Sequence, residues 1–516
     1  MSNRNDLSMF DGVGRYPYGH RRRRNWLAWA TRFGLVVIVI GGLVGTFLFI
    51  KAVATDDPVE IRVLGVDGAP LTGALVTTPQ DEGTTGDGGA VMLTLDPPAE
   101  VMVTAPGYKE GTYQVQALPD GPLSLQMVPR VLSGRVVDTR GNGIANARIT
   151  VGATEITSGE RGNFEVMPAE PGPVEVWKAA WSRQEVVWEG EETRLDVVLE
   201  PFTVRGIRVA PSIAGDLDDF EALLDMIDGT VVNTLVFDTK SEGGGVHYDS
   251  QVPEASATGA VLGSYDPETV IQMAHDRGLY TITRIVTFQD SPRAQLRPEH
   301  AVGNSATGGI WTTSGGHGWM DPTDEGAWTY PIDLAVEACR LGFDEIQFDY
   351  VRFPTDGDLS TVQYDVGELN SEIRLAAVRD FLIAARDTVH AEGCAVSADL
   401  FAIVMSVSDD QGLGQRPEEL SDAVDAISPM IYPSHYSPGW LGFDDPNSYP
   451  YEVTDQALTA GGPRVIGGAV LRPWLQAFFY TGSQVLDTIE AAEEGSHGWM
   501  LWHAASEYTR DMFPTE

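Results

Sequence analysis

The sequence predicts a multidomain chain: an N-terminal transmembrane helix, two small all-β sandwich modules and a C-terminal (β/α)8 TIM barrel. Three observations predict it. A charge-free run from Phe33 to Ile50 follows the arginines Arg21 to Arg24. Residues 58–202 repeat one pattern of short alternating strands and glycine-rich turns. From Phe202 onward strands alternate with helices, the order that builds parallel βαβ units.

The charge-free run is long enough to cross a bilayer. A secretory leader has a shorter apolar core, and no small-residue cleavage site follows cleanly. The reading is an uncleaved signal anchor over residues 33–54, preceded by a basic cytoplasmic segment, residues 1–32. Asp56 and Asp57 follow the span, so the remainder is expected outside, on a single-pass protein of the cell membrane. The chain of 516 residues carries 74 acidic and 34 basic side chains, a formal net charge of −40. Such a surface repels nucleic acid and anionic lipid headgroups, which excludes a nucleic-acid partner. Hydrophobic residues make up 43%, enough for cored domains. The two cysteines, Cys339 and Cys394, lack metal-site spacing and are read as buried thiols in preference to one disulfide. No metal or cofactor is expected, and nothing fixes an oligomeric state.

Residues 58–129 contain VLGVDGAPLTGALVTT, TTGDGGAVMLTL and AEVMVTAPGY; residues 130–202 contain VVDTRGNGIANARITV, TSGERGNFEVMP and GPVEVWKAAW. Each copy reads as strand, glycine turn, strand, glycine turn, strand, which argues for a β-sandwich. The second copy resembles carboxypeptidase regulatory-like and related immunoglobulin-like modules. That resemblance implies a spacer or adhesive unit.

Residues 203–516 hold eight strand-like runs: RGIRVA, NTLVFDTK, YTITRIVTF, EIQFDYVRF, AVSADLFAI, AISPMIYP, RVIGGAV and GWMLWHAA. Helical runs such as DDFEALLDMIDG, PETVIQMAHDRG and EIRLAAVRDFLIAARDTVHAEG separate them. Count and size fit a barrel with long loops. An open doubly wound sheet would want a glycine-rich phosphate turn after its first strand, and RGIRVAPSIAGD is not one. The most informative run is GFDEIQFDYVRFP, residues 342–354. Ile346, Phe348 and Tyr350 alternate with Glu345, Gln347 and Asp349, and Pro354 is expected to stop the strand.

Polar and aromatic residues recur at one end of these strands, where a packed barrel would show Val, Ile and Leu. Strand two offers Asp238 and Lys240, expected to face the same way. Strand three offers Arg284, strand four Asp349 and Arg352, and strand five Asp399. Tyr432 and His435 end strand six, Gln476 follows strand seven, and Trp502 ends strand eight. A lone buried Asp more often caps a loop or pairs with a neighbour such as Arg352, but several converging strand ends call for a ligand. Asp349 and Asp399 end neighbouring strands, and carboxyl groups about 5 Å apart suit retaining glycoside hydrolysis. Two such groups cannot both ionise freely, so one can protonate a leaving oxygen while the other attacks or stabilises the anomeric carbon. Arg284 or Arg352 would hold the ionised one. Asp238, Lys240, Arg284, Arg352, Tyr432, His435, Gln476 and Trp502 are assigned to substrate binding. Trp311, Trp319, Trp440, Trp474 and Trp502 suit stacking on sugars, at least half of them being expected in the core. GxSxG and HExxH are absent. A metal-dependent deacetylase would have to gather His247, His317 and His435 from distant loops. The segment 297–322, rich in Gly and Trp, is read as a substrate-covering loop.

Taken in order, RGIRV (205–209), LVFDTK (235–240), ITRIVTFQD (282–290), FDEIQFDYVRFP (343–354), VSADLF (396–401), ISPMIYPSHY (427–436), RPWLQAF (472–478) and GWMLWHA (498–504) resemble the putative glycosyl hydrolase domain of bacterial surface proteins. That family lies in the TIM-barrel glycosidase clan. The resemblance implies the barrel and O-glycosidic bond hydrolysis, with an essential Asp ending strand four, matched by Asp349. The clan commonly places a Glu after strand five as acid, where this chain has Asp399. The expectation is a hydrolase of cell-envelope or extracellular polysaccharide, with Asp349 and Asp399 catalytic. The alternative is a glycan-binding or envelope scaffold protein.

Overall fold

The computed structural model describes residues 57–515. The expected anchor, residues 33–54, and the basic segment before it lie outside the described residues. Among the described residues no helix is long and apolar enough to cross a membrane.

Each all-β module closes two sheets over one core. In the first, a three-stranded sheet centred on Val59–Leu64 shares its core with a four-stranded sheet running from Glu82–Thr84 to Gly111–Val115. Alternation drives this: in Ala99–Thr104 every second residue, Ala99, Val101 and Val103, is buried. The second module repeats the plan around Leu132–Val137, with a four-stranded sheet from Thr154–Thr157 to Gln184–Trp188.

Eight parallel strands then close into a barrel. They are β1 (Val204–Arg208), β2 (Thr234–Lys240), β3 (Tyr280–Val286), β4 (Glu345–Asp349), β5 (Ala395–Phe401), β6 (Ala426–Ile431), β7 (Trp474–Gln476) and β8 (Gly498–Trp502). Each pairs with the next, and β8 returns to β1 with Val204 opposite Gly498. Strand seven is not RVIGGAV. Gly467 and Gly468 take positive φ, which breaks an extended run there; a short piece, Val470–Leu471, joins the start of β6 before β7 proper begins. β4 likewise stops at Asp349, well short of Pro354, because Tyr350 turns into the left-handed region at φ 50°.

The helix Glu325–Leu341 is capped by Asp324 and ended by Gly342 at φ 119°. It carries Cys339, which is bonded to Cys394 just before β5, with Cα atoms 5.9 Å apart. The expectation of two free thiols is therefore corrected. The helix end and the start of β5 lie side by side, a proximity that a sequence separation of 55 conceals.

The second module docks on the N-terminal face of the barrel. Trp181 Nε1 donates to the Gly468 carbonyl at 2.9 Å, and Lys178 Nζ lies 3.8 Å from Asp425. Ala426 and Val470 join the module's buried core. Pro514 and Thr515 bridge Val231 and Thr230 just ahead of β2, on that same face. The contact makes a prediction about boundaries. A fragment starting near Pro201 should still melt cooperatively, because the barrel has its own core. Its melting temperature should be lower than that of a fragment starting at Arg130. Equal melting temperatures, read by calorimetry, would show that the module adds nothing to the barrel.

Candidate active site

The barrel interior is layered. Deepest, Glu345 of β4 accepts from Arg472 Nη2 at 2.9 Å, both groups being fully buried. One step up, Gln347 accepts from Trp474 Nε1 at 3.2 Å and lies against Ser428 and Met500. The top layer, at the C-terminal ends of the strands, carries most of the charge.

Arg284 is the centre of that layer. It is 1% exposed and its guanidinium reaches three carboxylates. Nε donates to Asp349 Oδ2 at 2.9 Å, Nη1 to Asp238 Oδ1 at 3.1 Å, and Nη2 to Glu242. The left-handed Tyr350 lets its own N–H donate to Asp349 Oδ1 at 2.6 Å. Arg208, ending β1, donates to Asp238 and to the Ala504 carbonyl. The Trp502 ring stacks against both guanidinium groups, 4.6 Å from Arg208 and 4.8 Å from Arg284. Burial works against charge on Asp238 and Glu242, but the guanidinium groups outweigh it and hold both carboxyls below their ordinary range.

Asp399 is held differently. Phe348 lies opposite Ala398, so Asp349 and Asp399 stand one step further at the same level on neighbouring strands. Asp399 is 1% exposed, and its Oδ1 accepts from the Trp474 indole at 2.9 Å rather than from a guanidinium. Burial, reinforced by the neighbouring Asp349 charge, raises its pKa well above the ordinary carboxylate range. Tyr432, also buried here, keeps its proton: burial first, then Asp399 and Asp349, push its hydroxyl well up. The site thus offers one carboxylate equipped with cationic donors beside one biased to hold a proton, the asymmetry that acid-assisted displacement at a carbon–oxygen bond uses.

Not every expected site residue joins it. A register shift after Asp238 turns Lys240 away; it is fully buried, pairs with Asp290 at 2.5 Å and faces the Tyr330 ring. Arg352 does not hold Asp349. Its guanidinium lies over the rings of Trp319, Tyr350 and Phe401 and donates to the Phe353 carbonyl. Gln476 is a brace: its amide accepts from Ser434 N and donates to Asn447 Oδ1 and the Phe478 carbonyl. His435 reaches the rim, its ring 5.3 Å from Tyr432. Trp311, Trp319 and Trp474 are core, while Trp440 and Trp502 stay partly open. The 297–322 loop is tied down by Trp311 Nε1 to the Asp358 carbonyl and Trp319 Nε1 to that of Arg352. His247 bonds Ser264, and among the described residues no group of three or more His, Cys, Asp or Glu side chains is arranged to hold a metal.

Two further residues, Arg208 and Glu242, join this layer with no role assigned from the sequence, and a third, Trp474, with a different one. Arg208 was visible as a charged strand end in RGIRV. Trp474, a stacking candidate by residue type, instead donates its N–H to Asp399 and Gln347. Glu242 lies beyond β2 in a glycine-rich turn that Ser241 N to Gly245 O folds back, and no periodicity announces it.

Residues 206–508 match the family model described as "Putative glycosyl hydrolase domain". Among solved structures, a hypothetical protein from Ruminiclostridium thermocellum is 32% identical over 37% of this chain and 96% of its own, at a TM-score of 0.34. The glycoside hydrolase domain of PgaB (BpsB) from Bordetella bronchiseptica is 12% identical over 61% of this chain and 100% of its own, at a TM-score of 0.44. The catalytic domain of β-amylase from Paenibacillus polymyxa is 12% identical over 61% and 95%, at a TM-score of 0.40. No curated protein matches the chain significantly. The family model covers more than half of the chain, and with its closed eight-stranded barrel the chain belongs to the putative glycosyl hydrolase domain family.

Proposed function

We propose that the barrel hydrolyses O-glycosidic bonds in a cell-envelope or extracellular polysaccharide, Asp349 acting as nucleophile or stabilising carboxylate and Asp399 as acid/base. The observation that carries this is the unlike treatment of two carboxyl groups at one level: Arg284 serves Asp349, while Asp399 sits against an indole with its pKa raised. Asp238, Arg208, Arg284 and Trp502 shape the wall around them. Residues 33–54 anchor the protein, with the barrel outside the cell. The Cys339–Cys394 bond supports that placement, because disulfides persist in oxidising compartments. Digestion of the barrel by protease added to intact cells tests it, and full protection would overturn it.

Asp399 sets the pH dependence. Its proton survives above the usual carboxylate range and leaves as pH rises through the folded value, so kcat/KM should fall on the alkaline side. Asp399→Asn should erase that limb and slow native glycans, yet spare aryl glycosides with good leaving groups. Stability has the same sign. A group raised on folding stabilises fully below its unfolded pKa and loses that contribution as pH rises. The Asn variant should therefore melt higher than the parent at alkaline pH. A lower melting temperature there, or an unchanged alkaline limb, would remove Asp399 from this role.

A second reading, a barrel that binds glycan without cutting it, draws on the depth of the pair: Asp349 is 4% and Asp399 1% exposed. Screening wall-derived and commercial polysaccharides for new reducing ends separates the two.

A further inference from the structure

Phe479 follows β7 at the rim of the barrel. Its side chain is 85% exposed, and its backbone sits at φ 65°, a conformation that bulky residues rarely adopt. Neither feature serves the core. Phe478 lies beside it, ring centroids 5.2 Å apart, and stands 5.5 Å from Tyr432 and 5.9 Å from His435. Tyr432 in turn feels the charges of Asp399 and Asp349. A line of rings therefore runs from the carboxylate pair to open solvent. A left-handed bulky residue costs free energy, and such residues persist where function over-determines them.

We propose that Phe479 is the stacking platform of an outer subsite for an uncharged pyranose unit of a polysaccharide. The subsite rests on the glycosidase reading, since it extends the same chain that reaches Asp349. The apolar C–H face of a sugar ring fits an aromatic face. A net charge of −40 favours an uncharged chain over a polyanion. The barrel would then grip a polymer along several units rather than a single terminal sugar.

Affinity electrophoresis of the full-length chain tests this in gels containing glycol chitin, soluble starch, hydroxyethyl cellulose or, as the anionic probe, polygalacturonate. Retardation by at least one uncharged polymer is expected. Phe479→Ala should weaken that retardation about tenfold, Phe479→Tyr should preserve it, and the melting temperature of both variants should match the parent. No retardation by any uncharged polymer, retardation by polygalacturonate alone, or an unchanged Phe479→Ala would each overturn the subsite. The readout needs no turnover. A polymer that is bound through Phe479 but never cut sinks the hydrolase reading alone, whereas a polymer cut and bound equally well by Phe479→Ala sinks the subsite alone.

Discussion

Asp349→Asn is expected to lower turnover on a cleavable glycan by several orders of magnitude while the cooperative melting transition survives. The amide keeps the shape of the side chain, and its oxygen can still accept from Tyr350 N. What goes is the carboxylate at the end of β4 that the proposed mechanism uses to balance a developing oxocarbenium ion. Arg284 retains Asp238 and Glu242, so the barrel keeps most of its top-layer network. Steady-state kinetics on a confirmed substrate reads the result. Near-normal turnover would mean that the carboxylate pair is not the catalytic machinery. Loss of binding in both Asp349→Asn and Asp399→Asn, with no glycan ever cleaved, would favour the binding-protein reading.

Arg284→Met should destabilise the barrel strongly. Removing one partner of a buried ion pair costs about 3–5 kcal/mol, because the remaining charge stays buried without compensation. Here one guanidinium serves Asp349, Asp238 and Glu242 together. Arg352→Met is the matched control. That guanidinium is also buried, but it rests on aromatic rings and one carbonyl, contacts worth about 2 kcal/mol when desolvated, and its removal strands no carboxylate. Denaturant titration should rank the two variants far apart. Adding Asp349→Asn to Arg284→Met should recover part of the loss, since one stranded charge disappears. Equal destabilisation by the two arginine changes would show that size rather than charge governs this layer.

Much of this architecture was legible in the chain because the signals are local and periodic. Alternation in EIQFDYVRF located β4 and placed Asp349 at its end, and the helical runs fell where the structure has Leu217–Ile227, Pro267–Asp276 and Ser371–Glu392. The failures are equally physical. Lys240 was grouped with Asp238 on period-two reasoning, and a bulge cancels that period. RVIGGAV looked like a strand by composition, but two glycines with positive φ delay β7 until the chain has passed Pro473. Arg352 and Arg284 were equal candidates as the partner of Asp349, and only the closed barrel shows that Arg284 on β3 points inward while the turn at Tyr350 carries Arg352 out among aromatic rings. Glu242 and the Cys339–Cys394 bond are products of three-dimensional proximity, to which no sequence period corresponds.

The docking of the second module and the bridge from Thr515 to Thr230 place both chain connections of the barrel on the N-terminal face of its strands. The mouth, with Asp349, Asp399 and Phe479, opens on the other. A fusion partner, a spacer of any length or a solid support can be joined at either connection without crossing the path of a substrate.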